Sequence, residues 1–213
     1  SQVKAVSGAT GSEFDKLTAK AKEMGATTKF TATQSAEAFN YMAMAGWDSQ
    51  QMLDGIEGIL NLAAASGEDL GTTSDIVTDA LTAFGLKASD AAHFSDVLAQ
   101  SAASANTNVS MMGESFKYVA PIAGAMKYSV EDTSLALGLM ANASVKGSMA
   151  GTSLKTALAN MAAPTDKMAT AMKKYGISLT DSNGNMKTLK GVLDNLRSSL
   201  GGLSETEKTA AAS

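Results

Sequence analysis

This chain interrupts its own helices. About every 12 to 18 residues a capping residue, a glycine or a proline breaks an apolar pattern of helical period. That grammar builds short helices folded back on one another, not one extended rod. Phe14, Leu17, Ala21 and Met24 recur at helical spacing behind a cap at Ser12, and Gly25 is expected to end the run. Thr31 with Gln34, and Asp48 with Gln51, form capping boxes for the next two helices. Trp47 precedes the second box and Met52 follows its cap by four positions, the pattern of a hydrophobic staple. The third helix is expected to run to about 66–67, and a fourth from about 69 to 84 before Gly85 and Leu86.

Ser89 or Asp90 opens a fifth helix with Phe94, Val97 and Leu98 on one face, closed by Asn106, Thr107 and Asn108. Ser110 is read as the start of a sixth, which Pro121 should bend or restart, because proline lacks the N–H and clashes one turn back. Ser129 with Asp132 caps a seventh; the eighth is expected between 151 and 163, and Thr165 after Pro164 caps a ninth. Around 177–187 the period changes. Ile177, Leu179 and Met186 flank Asn183-Gly184, a hairpin-turn signal, and predict a small β-hairpin. Helix returns over 188–200, and Ser204 with Glu207 opens a last helix cut off at Ser213. That ending, and the absence of an initiator Met at Ser1, read as a fragment of a longer protein.

The fold class expected is therefore all-α: a compact multi-helix bundle of helical hairpins, one domain over 1–213, with the small β-hairpin near 177–187. A faint internal repeat supports it. Glu37-x-Phe39-x-Tyr41-x-Ala43 returns 77 positions later as Glu114-x-Phe116-x-Tyr118-x-Ala120, predicting repeated hairpins over 31–67 and 110–147. Hairpin and C-terminal helices occupy 176–213.

Composition narrows the function. A net charge of −4 lacks the basic footprint of a nucleic-acid binder, and the absence of cysteine excludes a disulfide-built module. The most apolar stretch, 133–145, falls short of the ~20 residues of a spanning helix. With 38 alanines and only 5% aromatics, the 13 methionines read as flexible core filler. His93 is the only histidine, which suits a structural or surface role; a zinc site needs converging partners. Asp181-Ser182-Asn183-Gly184-Asn185 opens like a calcium loop, but Met186 and Val192 stand where glycine and a bidentate glutamate belong. Gly147-Ser148-Met149-Ala150-Gly151 places two glycines four apart, which in water suits close helix approach. No phosphate-binding GxxxxGK[ST] loop occurs. No catalytic set, cofactor site or metal site is expected.

Ordered motifs carry a resemblance. They include Met24-Gly25-Ala26-Thr27-Thr28-Lys29-Phe30-Thr31-Ala32-Thr33-Gln34, Ala43-Met44-Ala45-Gly46, Leu60-Asn61-Leu62-Ala63-Ala64 and Ala83-Phe84-Gly85-Leu86. Asp96-Val97-Leu98-Ala99, Lys117-Tyr118-Val119-Ala120-Pro121 and Lys146-Gly147-Ser148-Met149-Ala150-Gly151-Thr152-Ser153-Leu154 follow in order. Together they resemble the core region of tail tape measure proteins of tailed bacteriophages and prophages. Two departures stand out: Met126-Lys127-Tyr128 replaces a glycine-containing turn, and Lys155 stands where arginine is usual.

The resemblance implies a phage tail protein, assembled in the bacterial host cytoplasm, that sets tail length and scaffolds the tube; the lack of a catalytic set makes this segment non-enzymatic by expectation. It implies tail tube protein, tail assembly chaperones and tail-tip or baseplate proteins as partners, with self-association possible and no nucleic acid. Trp47, Gly147, Gly151, Thr152 and Lys155 are the candidate partner contacts. A peptidoglycan-hydrolase-associated tail domain and a helical-repeat adaptor unrelated to phage are the alternatives.

Overall fold

In the computed structural model, which describes residues 9–212, eleven α-helices follow one another. They are α1 Gly11–Thr27, α2 Ala32–Met44, α3 Ser49–Ser66 and α4 Leu70–Phe84. Then come α5 Ala91–Ser104, α6 Val109–Ala125, α7 Val130–Asn142 and α8 Gly147–Ala162. The last three are α9 Asp166–Tyr175, α10 Leu189–Leu200 and α11 Glu205–Ala212. The all-α expectation holds.

Caps set most of these boundaries. The Thr31 hydroxyl accepts the Gln34 N–H at 3.2 Å while the Gln34 side chain accepts the Thr31 N–H at 2.9 Å, so two orphan donors are satisfied reciprocally. Asp48 with Gln51 repeats the arrangement, and Ser129, Thr165 and Thr188 each accept an N–H three residues on.

The helices stack in two layers. One layer holds α1, α3, α5 and α7, the other α2, α4, α6 and α8, and each helix packs on its neighbours in both layers. The second-layer helices open at Ala32, Leu70, Val109 and Gly147, so successive starts lie 38, 39 and 38 residues apart. A spatial contact recurs with that step. An added Cβ on Gly113, five residues after the cap Asn108, would lie 2.4 Å from Ile76, seven residues after the cap Asp69. An added Cβ on Gly151, five after Lys146, would lie 2.3 Å from the carbonyl oxygen of Ser115, seven after Asn108. A glycine at this register position lets α6 settle against the Ile76 side chain of α4 and α8 against the α6 backbone, which is how a repeat protein keeps a constant step.

Between the layers lies a continuous core. Phe39, Phe94, Phe116, Ile56, Ile59, Leu60 and Leu98 are fully buried. Phe116 receives Phe84 and Phe94 edge-on at 5.7 and 5.6 Å between ring centres. The hydroxyl side chains Ser35, Thr73, Ser115 and Thr133 in the core bond back to carbonyls four residues earlier, so burial leaves them paired. Methionines Met42, Met52 and Met112 fill the core, whereas Met44 and Met149 are exposed.

Six local expectations need correction. The predicted β-hairpin is reduced to one antiparallel bridge, Thr180 to Met186. The Asp181 carboxylate accepts the N–H groups of Asn183 and Asn185 at 2.8 and 2.9 Å, and Ser178 Oγ accepts that of Thr180. The Asp181 carboxylate thereby takes the Asn185 donor that a ladder would use, and pairing goes no further than the Asp181 N–H to the Asn185 carbonyl and the Lys187 N–H to the Leu179 carbonyl. Pro121 does not restart a helix but lies inside α6. It withdraws a donor only from the Lys117 carbonyl, and both residues are on the exposed side, where water replaces it. Gly25 does not end α1, which continues to Thr27. Its missing side chain instead admits the α2 N-terminus: an added Cβ would lie 2.5 Å from the Ala32 nitrogen. The cap of α1 is Thr10, boxed with Glu13, and that of α6 is Asn108. The eighth helix begins at Gly147, four residues earlier than expected.

Candidate functional site

The five sequence candidates do not converge. Trp47 is buried against α3, its ring filling the space where a Cβ on Gly55 would come within 2.3 Å. Gly151 is buried against Ser115. Gly147, half-buried, opens α8 with φ +57°, and its carbonyl accepts the Ser115 hydroxyl at 2.8 Å. Thr152 and Lys155 project from the exposed face of α8. The first three knit the stack together, and the last two are available to a partner.

A surface that the motifs did not single out lies between α5 and α7. There a groove of about 640 Å³ is walled by Val97, Gln100, Ser101 and Ala105 on α5 and its C-cap, and by Ser134, Leu135, Gly138 and Leu139 on α7. Leu135 and Leu139, one turn apart, are 42% and 51% exposed, unusual for the most apolar stretch of the chain. That stretch was the only sequence signal: helical spacing places its leucines on two faces, and one face lacks a neighbour.

At one end His93 Nε2 meets Glu131 Oε1 at 2.5 Å, joining α5 to α7. The Glu131 carboxyl is held below its ordinary range, first by its own backbone N–H and then by Ser129 and His93, against an opposing effect of burial. At the other end the Asn142 side chain accepts the Asn106 N–H at 2.8 Å.

Two further features flank the stack. Asp75 on α4 is pushed upward in pKa by burial and then by Asp79, while Lys117 on α6 opposes. Asp132, expected only to favour the α7 N-terminus, accepts the Leu189 N–H at 2.8 Å and so caps α10 across 57 residues of chain. With Leu189 and Val192 buried, that bond seats α10 on α7. Among the described residues no cluster of metal-ligating side chains occurs, and no helix is long and apolar enough to cross a membrane.

Residues 18–213 match the model of the phage-related minor tail protein family. The chain belongs to that family. This minor tail segment is 40% identical over 208 residues, 98% of its length, to the tape measure protein of Pneumococcus phage Dp-1. It is 29% identical over 201 residues, 93% of its length, to the probable tape measure protein of Escherichia phage P2. It spans 18% and 25% of the lengths of those two relatives. No solved structure matches it. Membership agrees with the resemblance read from the ordered motifs and assigns the minor tail segment to the structural proteins of the phage tail.

Proposed function

We propose that this minor tail segment is a folded docking module of a tape measure protein, and not the measuring rod itself. The stack of short helices carries the reading. The longest, α3, has 18 residues and is about 27 Å long, whereas 213 residues in one straight helix would reach about 320 Å. A ruler needs axial length per residue, and this chain gives that up for a two-layer core. The module's role is to hold the tape measure protein in the growing tail, through contacts with tube protein, tail assembly chaperones or the tail-tip complex. Exposed Thr152 and Lys155 on α8 belong to that surface. The named relatives carry structural titles, which favours a scaffold over a peptidoglycan hydrolase.

Excising this segment from the tape measure gene of a phage tests the reading. A docking module predicts that tail assembly is blocked, with free tube protein accumulating. Viable particles whose tails are shortened in proportion to the residues removed would overturn it.

A further inference from the structure

We infer that the α5–α7 groove is the docking site for an amphipathic helix of a protein partner, about three turns long, apolar on one stripe and basic beside it. The inference rests on the docking-module reading and names the surface that such a module uses.

Outer-layer seams of the stack are not alike. At the α3–α5 seam an added Cβ on Gly58 would lie 2.6 Å from the backbone of Ala91 and Ala92, so those two helices touch directly. At the α5–α7 seam a Cβ on Gly138 would meet only the Ala105 methyl, at an ordinary 3.4 Å. The rest stays open as the 640 Å³ groove. From His93 to Ala105 the α5 backbone rises about 18 Å, the length of three helical turns.

The wall chemistry selects the occupant. Val97, Leu135 and Leu139 provide apolar contacts one turn apart, which suit the i, i+3/i+4, i+7 anchors of a helix laid in a groove. The buried Ser134 hydroxyl in the wall has no hydrogen-bond partner among the described residues. Carboxylates line the groove, Asp96 and Glu131, and neither lysine nor arginine does. The complementary ligand is therefore cationic along its polar edge.

The chain's single histidine stands at the groove's end, so its ring resonances report occupancy without labelling. The probe is a synthetic 14-residue Leu/Lys amphipathic helix, titrated into the full chain and followed by proton NMR of His93 and by fluorescence anisotropy. The expected result is a saturable shift of the His93 signals and binding weakened at least 10-fold by Leu135→Lys or Leu139→Lys. Both leucines are exposed, so circular dichroism should show either variant folded. A Leu/Glu counterpart should bind at least 10-fold more weakly. Unmoved His93 signals, affinity unchanged by both substitutions, or equal binding of the acidic peptide would overturn the inference. So would a concentration-dependent dimer abolished by Leu139→Lys, which makes a second copy the occupant. If the peptide fails while excision still blocks tail assembly, the groove loses its role and the docking module keeps its own.

Discussion

Replacing Gly151 with alanine places a methyl group where the Ser115 carbonyl already lies. The new Cβ would stand 2.3 Å from that oxygen and 2.9 Å from the Ser115 carbonyl carbon and Cα. Ordinary contact needs α8 to retreat from α6 by about 1 Å. No rotamer change relieves the clash, because the opposing atoms are backbone. Retreat also stretches the Ser115 hydroxyl bond to the Gly147 carbonyl, 2.8 Å in the native chain, and loosens buried Leu154 and Leu158. Overpacking of this kind costs about 1–3 kcal/mol, and a backbone clash belongs at the upper end. Alanine returns about 1 kcal/mol over glycine in a helix interior. The net loss is about 2 kcal/mol, a fall in thermal midpoint of about 4–8 °C for a chain of this size. Circular dichroism melts and urea titrations measure it, with Thr152→Ala on the exposed face of α8 as the control that gains a few tenths of a kcal/mol. A rise in midpoint for Gly151→Ala, as expected of a solvated glycine, would refute the tight α6–α8 contact and the constant step built on it.

Further outcomes follow from the same structure. Lys127 holds φ +63° at the α6 C-terminus, so Lys127→Gly should stabilise by about 1 kcal/mol in the same melts. Asp132→Ala should remove the acceptor of the Leu189 N–H, costing about 1 kcal/mol and raising the rate of limited proteolysis in the 176–188 loop. The carboxyls of Glu13, Asp69, Asp181 and Glu207 all lie below their ordinary values, chiefly through hydrogen bonds from Thr10, Thr72, Asn185 and Ser204. Groups lowered in the folded state favour folding above their ordinary pKa and lose that contribution as protons return. Stability should therefore fall as pH drops below about 4.5, followed by urea midpoint against pH. Asp75 is raised instead, so its charge opposes folding at neutral pH. Asp75→Asn should stabilise by a few tenths of a kcal/mol at pH 7, and the gain should vanish in acid, where the native carboxyl is protonated.

Capping boxes were legible because their chemistry is local: Thr31 with Gln34 and Asp48 with Gln51 form the bonds that their spacing announces. Lys127 in place of a glycine turn marked the residue that adopts a left-handed φ. Gly25 did not stop α1 and Pro121 did not restart α6, because their effect depends on what lies across from them: a neighbouring helix start in one case, solvent in the other. The 38-residue step was hidden for a related reason. It is kept by the size of residues at two register positions and by caps as unlike as Thr31, Asp69, Asn108 and Lys146, so identity survives only across two steps. The groove was illegible beyond two leucines, since its walls come from segments about 40 residues apart.

Contacts between neighbouring helices over α1–α8 also set how the molecule responds to traction. A globular core resists pulling as one body and yields at one high force. In this stack, tension applied at the N-terminal end loads first the terminal hairpin, because the next pair is held by its own interface. The chain should peel in increments of about 40 residues, each against a modest barrier, and reseat in reverse when the load is released. Such graded yielding is a mechanical response that neither a rigid rod nor a single tight globule shows.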